Sequence, residues 1–199
     1  MSNSPLFVVV ACEESQAVTK AFRALGHFAY SVDLKPCSGG HPEWHFQDDA
    51  FKIIDLIRPD LVIAHPPCTF LSKVSSVVLS KGYHDINSVS LARDFFMRFL
   101  DLPCKVAVEN PVPAYFACLP RATQYIQPYM FGDDYTKLTG LWLKGLPELL
   151  PNCYLAGHKC HNTGFPSWVA TVHSAELRSK TFNGIAKAMA EQWGGKVNA

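Results

Sequence analysis

Between residues 6 and 108, short apolar runs rich in β-branched residues alternate with segments whose apolar residues recur at helical spacing. Leu6 to Ala11 is a continuous run, the pattern of a parallel strand covered on both faces. Ala17, Val18, Ala21, Phe22 and Leu25 share one helical face that ends at Gly26, a residue suited to a left-handed helix cap. Phe28 to Val32 reads as a second strand stopping at Asp33, and Lys35 to His45, rich in Pro, Gly, Ser and His, as a loop. Ala50, Ile53, Ile54 and Ile57 give a further amphipathic helix, which Arg58-Pro59 ends. Leu61 to Ala64 is the next strand and leads into His65-Pro66-Pro67-Cys68. Leu91, Phe95, Phe96 and Phe99 mark another helix, and Lys105 to Val108 a strand ending at Glu109-Asn110-Pro111. Repeated β-α-β units of this kind predict an α/β fold: a doubly wound, mainly parallel sheet with helices on both faces.

The pattern weakens after Pro111, where prolines and glycines suggest loops and short strands such as Leu141-Trp142-Leu143. It returns in Phe182, Ile185, Ala186, Met189 and Trp193, which share one helical face. With 199 residues and no repeat or linker, the chain reads as a single domain over 1–199, with a loop-rich insert at about 111–177. Hydrophobic residues at 48% against 18% charged exclude disorder and coiled coil. A net charge of +1 permits a local nucleic-acid contact without advertising a long one. Seven scattered cysteines suit reduced thiols rather than a disulfide framework, which predicts a cytoplasmic protein with no membrane partner. Leu6 to Cys12 lacks preceding Lys or Arg and is too short to span a bilayer.

In doubly wound sheets, ligands sit beyond the carboxyl ends of the strands. That rule selects Cys12 to Ser15, Asp33, Pro66 to Thr69, and Glu109-Asn110. Two prolines hold Cys68 rigidly at the sheet's edge, and adjacent parallel strands bring its thiol and the Glu109 carboxyl into one crevice. A thiol with a carboxyl suits addition to an electron-poor ring, the acid serving a ring nitrogen while sulfur adds. Asp33, 21 residues beyond Cys12, is placed to accept from a ribose diol. Asp48 or Asp49 stands where an adenine end would lie, and Asp49 also suits the N-cap of the next helix.

Pro66-Pro67-Cys68 followed by Glu109-Asn110 resembles the Pro-Cys and Glu-Asn-Val motifs of C5-cytosine DNA methyltransferases. Phe7 to Gly26, followed by Asp33, is similar to that family's first cofactor motif and the acidic residue after its second strand. Arg178 to Trp193, containing Phe182-Asn183-Gly184-Ile185, is similar to its closing helix, and the whole resembles the short forms carried by phages. The resemblance implies a Rossmann-like S-adenosylmethionine-dependent methyltransferase fold, acting in the host cytoplasm if phage-encoded. It implies Cys68 as nucleophile at C6 of the pyrimidine, with Glu109 as acid at N3. It also implies cofactor contacts from Cys12, Glu13, Ser15, Gln16, Asp33, Asp48, Pro67 and Asn183. Substrate contacts would come from Pro66, Thr69, Asn110, Arg121 and Lys137.

The chain departs from the family in three places. Its first loop, Cys12 to Gln16, holds no glycine; Thr69 follows the cysteine where Gln is usual; and Asn110 to Arg178 leaves fewer than 70 residues for target recognition. Arg121 and Gln124 are the nearest candidates for the family's Gln-x-Arg-x-Arg motif. The substrate is accordingly DNA, with a possible protein partner supplying recognition, or a free pyrimidine nucleotide; a catalytically silent phage module that binds nucleic acid or protein is the alternative from another class. Arg121, Lys137 and Lys144, interleaved with Tyr125, Tyr129, Tyr135 and Trp142, form either a basic-aromatic nucleic-acid surface or core aromatics with solvated lysines. Cys153, His158, Cys160 and His161, and separately Cys37, His41 and His45, are zinc-type residues without paired zinc-module spacing, which favours ordinary loop roles and no metal.

Overall fold

In the computed structural model, which describes residues 4–73, 85–152, 167–172, 174 and 180–197, seven strands form one sheet. They are β1 (Phe7–Ala11), β2 (Phe28–Asp33), β3 (His45–Gln47), β4 (Leu61–Ala64), β5 (Lys105–Pro111), β6 (Gln124–Ile126) and β7 (Thr139–Lys144). The order is β3-β2-β1-β4-β5-β7-β6. All pairings from β3 across to β5 are parallel, and β7 runs antiparallel between β5 and β6. Successive strands run outward one way from β1 and the other way from β4. The topological switch therefore lies between β1 and β4, at whose carboxyl ends doubly wound folds bind ligands. The fold is α/β and Rossmann-like, as the alternation predicts.

Helices cover both faces. Val18 and Phe22 of α1 (Ala17–Ala24) and Ile185 and Met189 of α5 (Asn183–Met189) pack on Val8, Val10, Ile63, Ala107 and Leu141. Phe51 and Ile54 of α2 (Ala50–Ile57) and Phe96 and Phe99 of α3 (Ile86–Leu100) pack on Val9, Ala11, Val62, Val106 and Val108. Among the described residues, the short helix α4 (Trp168–Thr171) precedes α5. Strand alternation decides which face each edge residue joins. His65 continues the Leu61–Ile63 side and Glu109 the Ala107 side, so both belong to the α1/α5 face, whereas Asn110 joins Val106 and Val108 on the other.

Three elements differ from the sequence reading. His45 closes the supposed loop but begins β3, a three-residue edge strand too short to show a period. β5 does not stop at Val108; its antiparallel ladder with β7 carries it through Pro111, so Glu109 and Asn110 lie within the strand. Part of the stretch taken as a loop-rich insert supplies β6 and β7, integral strands of the sheet. Among the described residues no helix is long and apolar enough to cross a membrane. Cys153, His158, Cys160, His161 and Arg178 lie outside the described residues.

Candidate active site

The Cys68 turn is fixed from both sides. The His65 amide donates to the Ala11 carbonyl (2.9 Å), prolonging the β1–β4 ladder by one bond. The Leu71 and Ser72 amides both donate to the Cys68 carbonyl (3.1 and 3.0 Å), closing a tight turn without a helix. Asn110, 1% exposed, donates from Nδ2 to the Pro66 carbonyl at 2.8 Å and ties the turn to β5. The Ala114 amide then donates to the Leu71 carbonyl (2.7 Å), so the chain after β5 also holds it. Cys68 is half-buried, with Pro67 and Thr69 exposed on either side. Pro66 is buried, so Pro66 and Asn110 form the footing of the thiol.

Beside the turn, four charged or titratable side chains from neighbouring strands follow one another across the carboxyl edge. Glu13 follows β1, His65 follows β4, Glu109 is on β5 and Lys137 precedes β7. His65 Nδ1 lies 3.2 Å from Glu109 Oε2, with the two side chains only 7% and 12% exposed. Burial alone would push the Glu109 carboxyl up. The Lys137 ammonium, the His65 contact and the Thr139 hydroxyl outweigh it and hold Glu109 below the ordinary carboxylate value. The Thr139 hydroxyl also reaches the Lys137 carbonyl at 3.1 Å. Burial wins for Glu13, whose carboxyl is raised although the charge of His65 and three hydrogen bonds pull it down. His65 Nε2 and Asn110 Oδ1 are buried and make no hydrogen bond among the described residues.

The first loop shows how a turn without glycine is built. Cys12 and Gln16 both adopt left-handed backbone, φ 59° in each, where glycine would serve at less cost. The Glu13 carboxylate accepts from the Val18 amide (2.6 Å), the Thr19 amide (3.3 Å) and the Thr19 hydroxyl (2.7 Å), which satisfies the start of α1 from within the chain. Gln16 is fully buried; its amide donates to His41 O and Ser31 Oγ and accepts from the His41 amide and the Cys37 thiol. Ser38 donates to the Glu14 carboxylate. Gly39 allows this close packing, since a Cβ there would stand 2.5 Å from both Gln16 Cβ and the Ser15 carbonyl. The 34–41 segment is thus strapped onto the first loop.

The other expected residues distribute unevenly. Asp33 stands at the end of β2 and accepts from the Lys35 amide (2.9 Å). With Asp49 it reinforces the burial that pushes the Cys12 thiol up to about 12, so Cys12 stays protonated. Asp48 pairs with Lys52 at 2.5 Å on the surface, and Asp49 caps α2. Asn183 is the exposed first residue of α5. Next to it, Gly184 donates to Asp133 Oδ2 (3.0 Å), and a Cβ at Gly184 would collide with the Phe131 carbonyl. Arg121 is exposed before β6, two strands away from β5, and Gln124 is bonded to the backbone of Leu149. Lys137, by contrast, is brought to Glu109.

The supposed basic-aromatic surface does not form as a unit. Trp142 and Tyr129 are buried, and Lys144 reaches the Leu100 and Leu102 carbonyls at the opposite edge of the sheet. Cys37 bonds Gln16, His41 stacks on Trp44 at 3.8 Å, and His45 bonds Ser31 and the Lys35 carbonyl. Two residues of the site escaped the sequence reading. Thr139 is one, and the other is His65 as partner of Glu109. The alternation Thr139, Leu141, Leu143 signals a strand with Thr139 on the inner face, and adjacency of the β4 and β5 ends places His65 by Glu109. No protein-family model matches the chain, and no curated protein matches it.

Proposed function

We propose that the protein is an S-adenosylmethionine-dependent methyltransferase acting at C5 of cytosine in DNA through a covalent Cys68 adduct. The observation that carries this reading is the rigid Cys68 turn, clamped by Asn110 and set on the carboxyl edge beside the buried Glu109–His65 pair. Cys68 sulfur would bond to C6 of the base while Glu109, once protonated, hydrogen-bonds N3 and accepts the developing charge at that end of the ring. S-adenosylmethionine supplies the methyl group that C5 takes. Loss of the C5 proton to solvent and cleavage of the C6–S bond return the thiolate. In duplex DNA the base must first leave the stack, and a protein partner supplying target recognition fits the short span between Asn110 and Arg178.

The first loop fits this cofactor better than a dinucleotide. Helix N-termini in dinucleotide folds receive a pyrophosphate, but here the Val18 and Thr19 amides are already taken by Glu13. Glu13, Glu14 and Asp33 put carboxyl groups on and next to the first loop, which suits a cationic sulfonium better than a phosphate. Asp33, with the loop Cys12 to Gln16, would hold the cofactor, Asp48 and Pro67 bordering it.

The test is covalent trapping. DNA containing 5-fluorocytosine should form a stable adduct in the presence of S-adenosylmethionine, and Cys68→Ala should abolish it. Methylation of dCMP in place of DNA would move the substrate to free nucleotides. Absence of both adduct and cofactor binding would leave a non-catalytic binding module.

A further inference from the structure

Glu109 presents a problem of proton supply. Neutral cytosine N3 accepts hydrogen bonds, so a carboxylate facing it must first gain a proton. Glu109 nevertheless rests as a carboxylate, its charge supported by Lys137, His65 and Thr139. Two basic side chains, Lys137 and His65, act on the Glu109 carboxyl. Lysine ordinarily binds its proton about six pH units more tightly than a carboxylate, whereas imidazole holds it only about two units more tightly. The proton of a His–Glu pair is therefore transferable at small cost, and that of a Lys–Glu pair is not. Geometry singles out the same residue, since His65 Nδ1 points at Glu109 Oε2 across 3.2 Å. The neutral ring left after transfer carries its one remaining proton on Nε2, which is buried and has no hydrogen-bond partner among the described residues.

We infer that His65 is the proton donor of the site, acting in its doubly protonated form: it passes the Nδ1 proton through Glu109 to the N3 side of the bound base and keeps the Nε2 proton. The inference rests on the methyltransferase reading. The cycle balances: the N–H bond at Nδ1 breaks as the O–H bond at Oε2 forms, and the proton returns to His65 when the C6–S bond breaks and N3 becomes an acceptor again. No oxidant or further reactant is needed. His65 touches neither base nor cofactor, so it acts through Glu109. The groups facing the pair are Glu13 from the first loop, and Lys137 and Thr139 from the β7 side.

A hydrogen-bonding role and a proton-donating role separate in the His65→Gln variant, whose amide can still donate to Glu109 but carries no transferable proton. Adduct formation with 5-fluorocytosine DNA should be measured against pH for wild type, His65→Gln and His65→Phe, with S-adenosylmethionine affinity as the folding control. We expect both variants to bind the cofactor normally and to lose about a hundredfold in adduct rate at neutral pH. Mild acid should restore much of the loss, because solvent then protonates Glu109 directly. A wild-type rate and profile in His65→Gln would overturn the inference while leaving the methyltransferase reading intact. A wild-type protein that forms no adduct at any pH would overturn both.

Discussion

Glu109 Oε2 and His65 Nδ1 meet at 3.2 Å although they come from strands separated by more than forty residues of chain. The contact follows from register. Ala64 pairs with Val108 in the parallel β4–β5 ladder, so the next residue on each strand is its neighbour's partner on the same face. β7 completes the enclosure: Leu141 opposes Glu109, and Thr139, two residues earlier on β7, lies diagonally across from it. The pair is therefore a product of the sheet itself.

Opposite pKa directions at the two buried glutamates give opposite pH effects on stability. Glu109 is depressed below 4.5, so its contribution is present above that value and is lost as pH falls through the folded-state value. Glu13 is raised above 4.5, so its contribution is complete below that value and is lost as pH rises through the folded-state value. Urea denaturation across the acid range should show a wild-type advantage over Glu109→Gln that shrinks on acidification. Glu13→Gln should instead gain on wild type as pH rises above the ordinary carboxylate range. Parallel curves for the two variants would contradict the assignment.

Lys137→Met should raise the Glu109 carboxyl toward the value its burial favours. The predicted observation is a carboxyl signal from Glu109, followed by carbon-13 NMR, that titrates at higher pH than in wild type. Lys137→Arg should keep the wild-type titration. If Lys137→Met leaves the signal unmoved, the ammonium is not what supports the carboxylate.

Asn110→Ala should cost about 1–3 kcal/mol, because it leaves the buried Pro66 carbonyl unpaired. The same change should slow trapping by Cys68 while leaving cofactor affinity near wild type, since the Asn110 side chain bonds Pro66 and makes no hydrogen bond to the first loop among the described residues. Denaturation and adduct kinetics together test this. A fall in stability with unchanged trapping would show that the clamp does not position the thiol.

Much of this arrangement was legible in the sequence, and the rest was hidden for identifiable reasons. β1 and β4 are buried on both faces, so they read as unbroken apolar runs, and α2 announced itself by its period and its Arg58-Pro59 stop. The carboxyl-end rule then selected Cys68 and Glu109 together. β3 was not visible because His45, Phe46 and Gln47 are too few for alternation. The strands after Pro111 were masked by proline and by Gly140, whose missing side chain makes room for the Trp142 ring 2.9 Å from where a Cβ would sit. The neighbourhood of Lys137 depends on an antiparallel return from a distant segment, and no local pattern encodes it.

Gly39→Ala should disturb the first loop from outside it. Its Cβ would press on Gln16 Cβ and the Ser15 carbonyl, both held in place by a buried hydrogen-bond network. Overpacking of this kind costs about 1–3 kcal/mol. Thermal melting should register the loss, and cofactor affinity should fall with it because the strap sets the shape of the Cys12 to Gln16 loop. An unchanged melting temperature would mean that the 34–41 segment is not fastened there.

Glu13 makes the sharpest statement about cofactor choice. With its carboxyl group on the Val18 and Thr19 amides, the N-terminus of α1 has those donors already taken, and an added phosphate would have to displace Glu13. Calorimetry should therefore show binding of S-adenosylmethionine and none of NAD. Glu13→Ala frees the amides but removes three hydrogen bonds, so it should lose stability by about 1–3 kcal/mol and weaken S-adenosylmethionine without creating tight binding for NAD. Tight NAD binding by wild type would show that the loop rearranges to expose those amides, and would remove the main argument for a cationic cofactor.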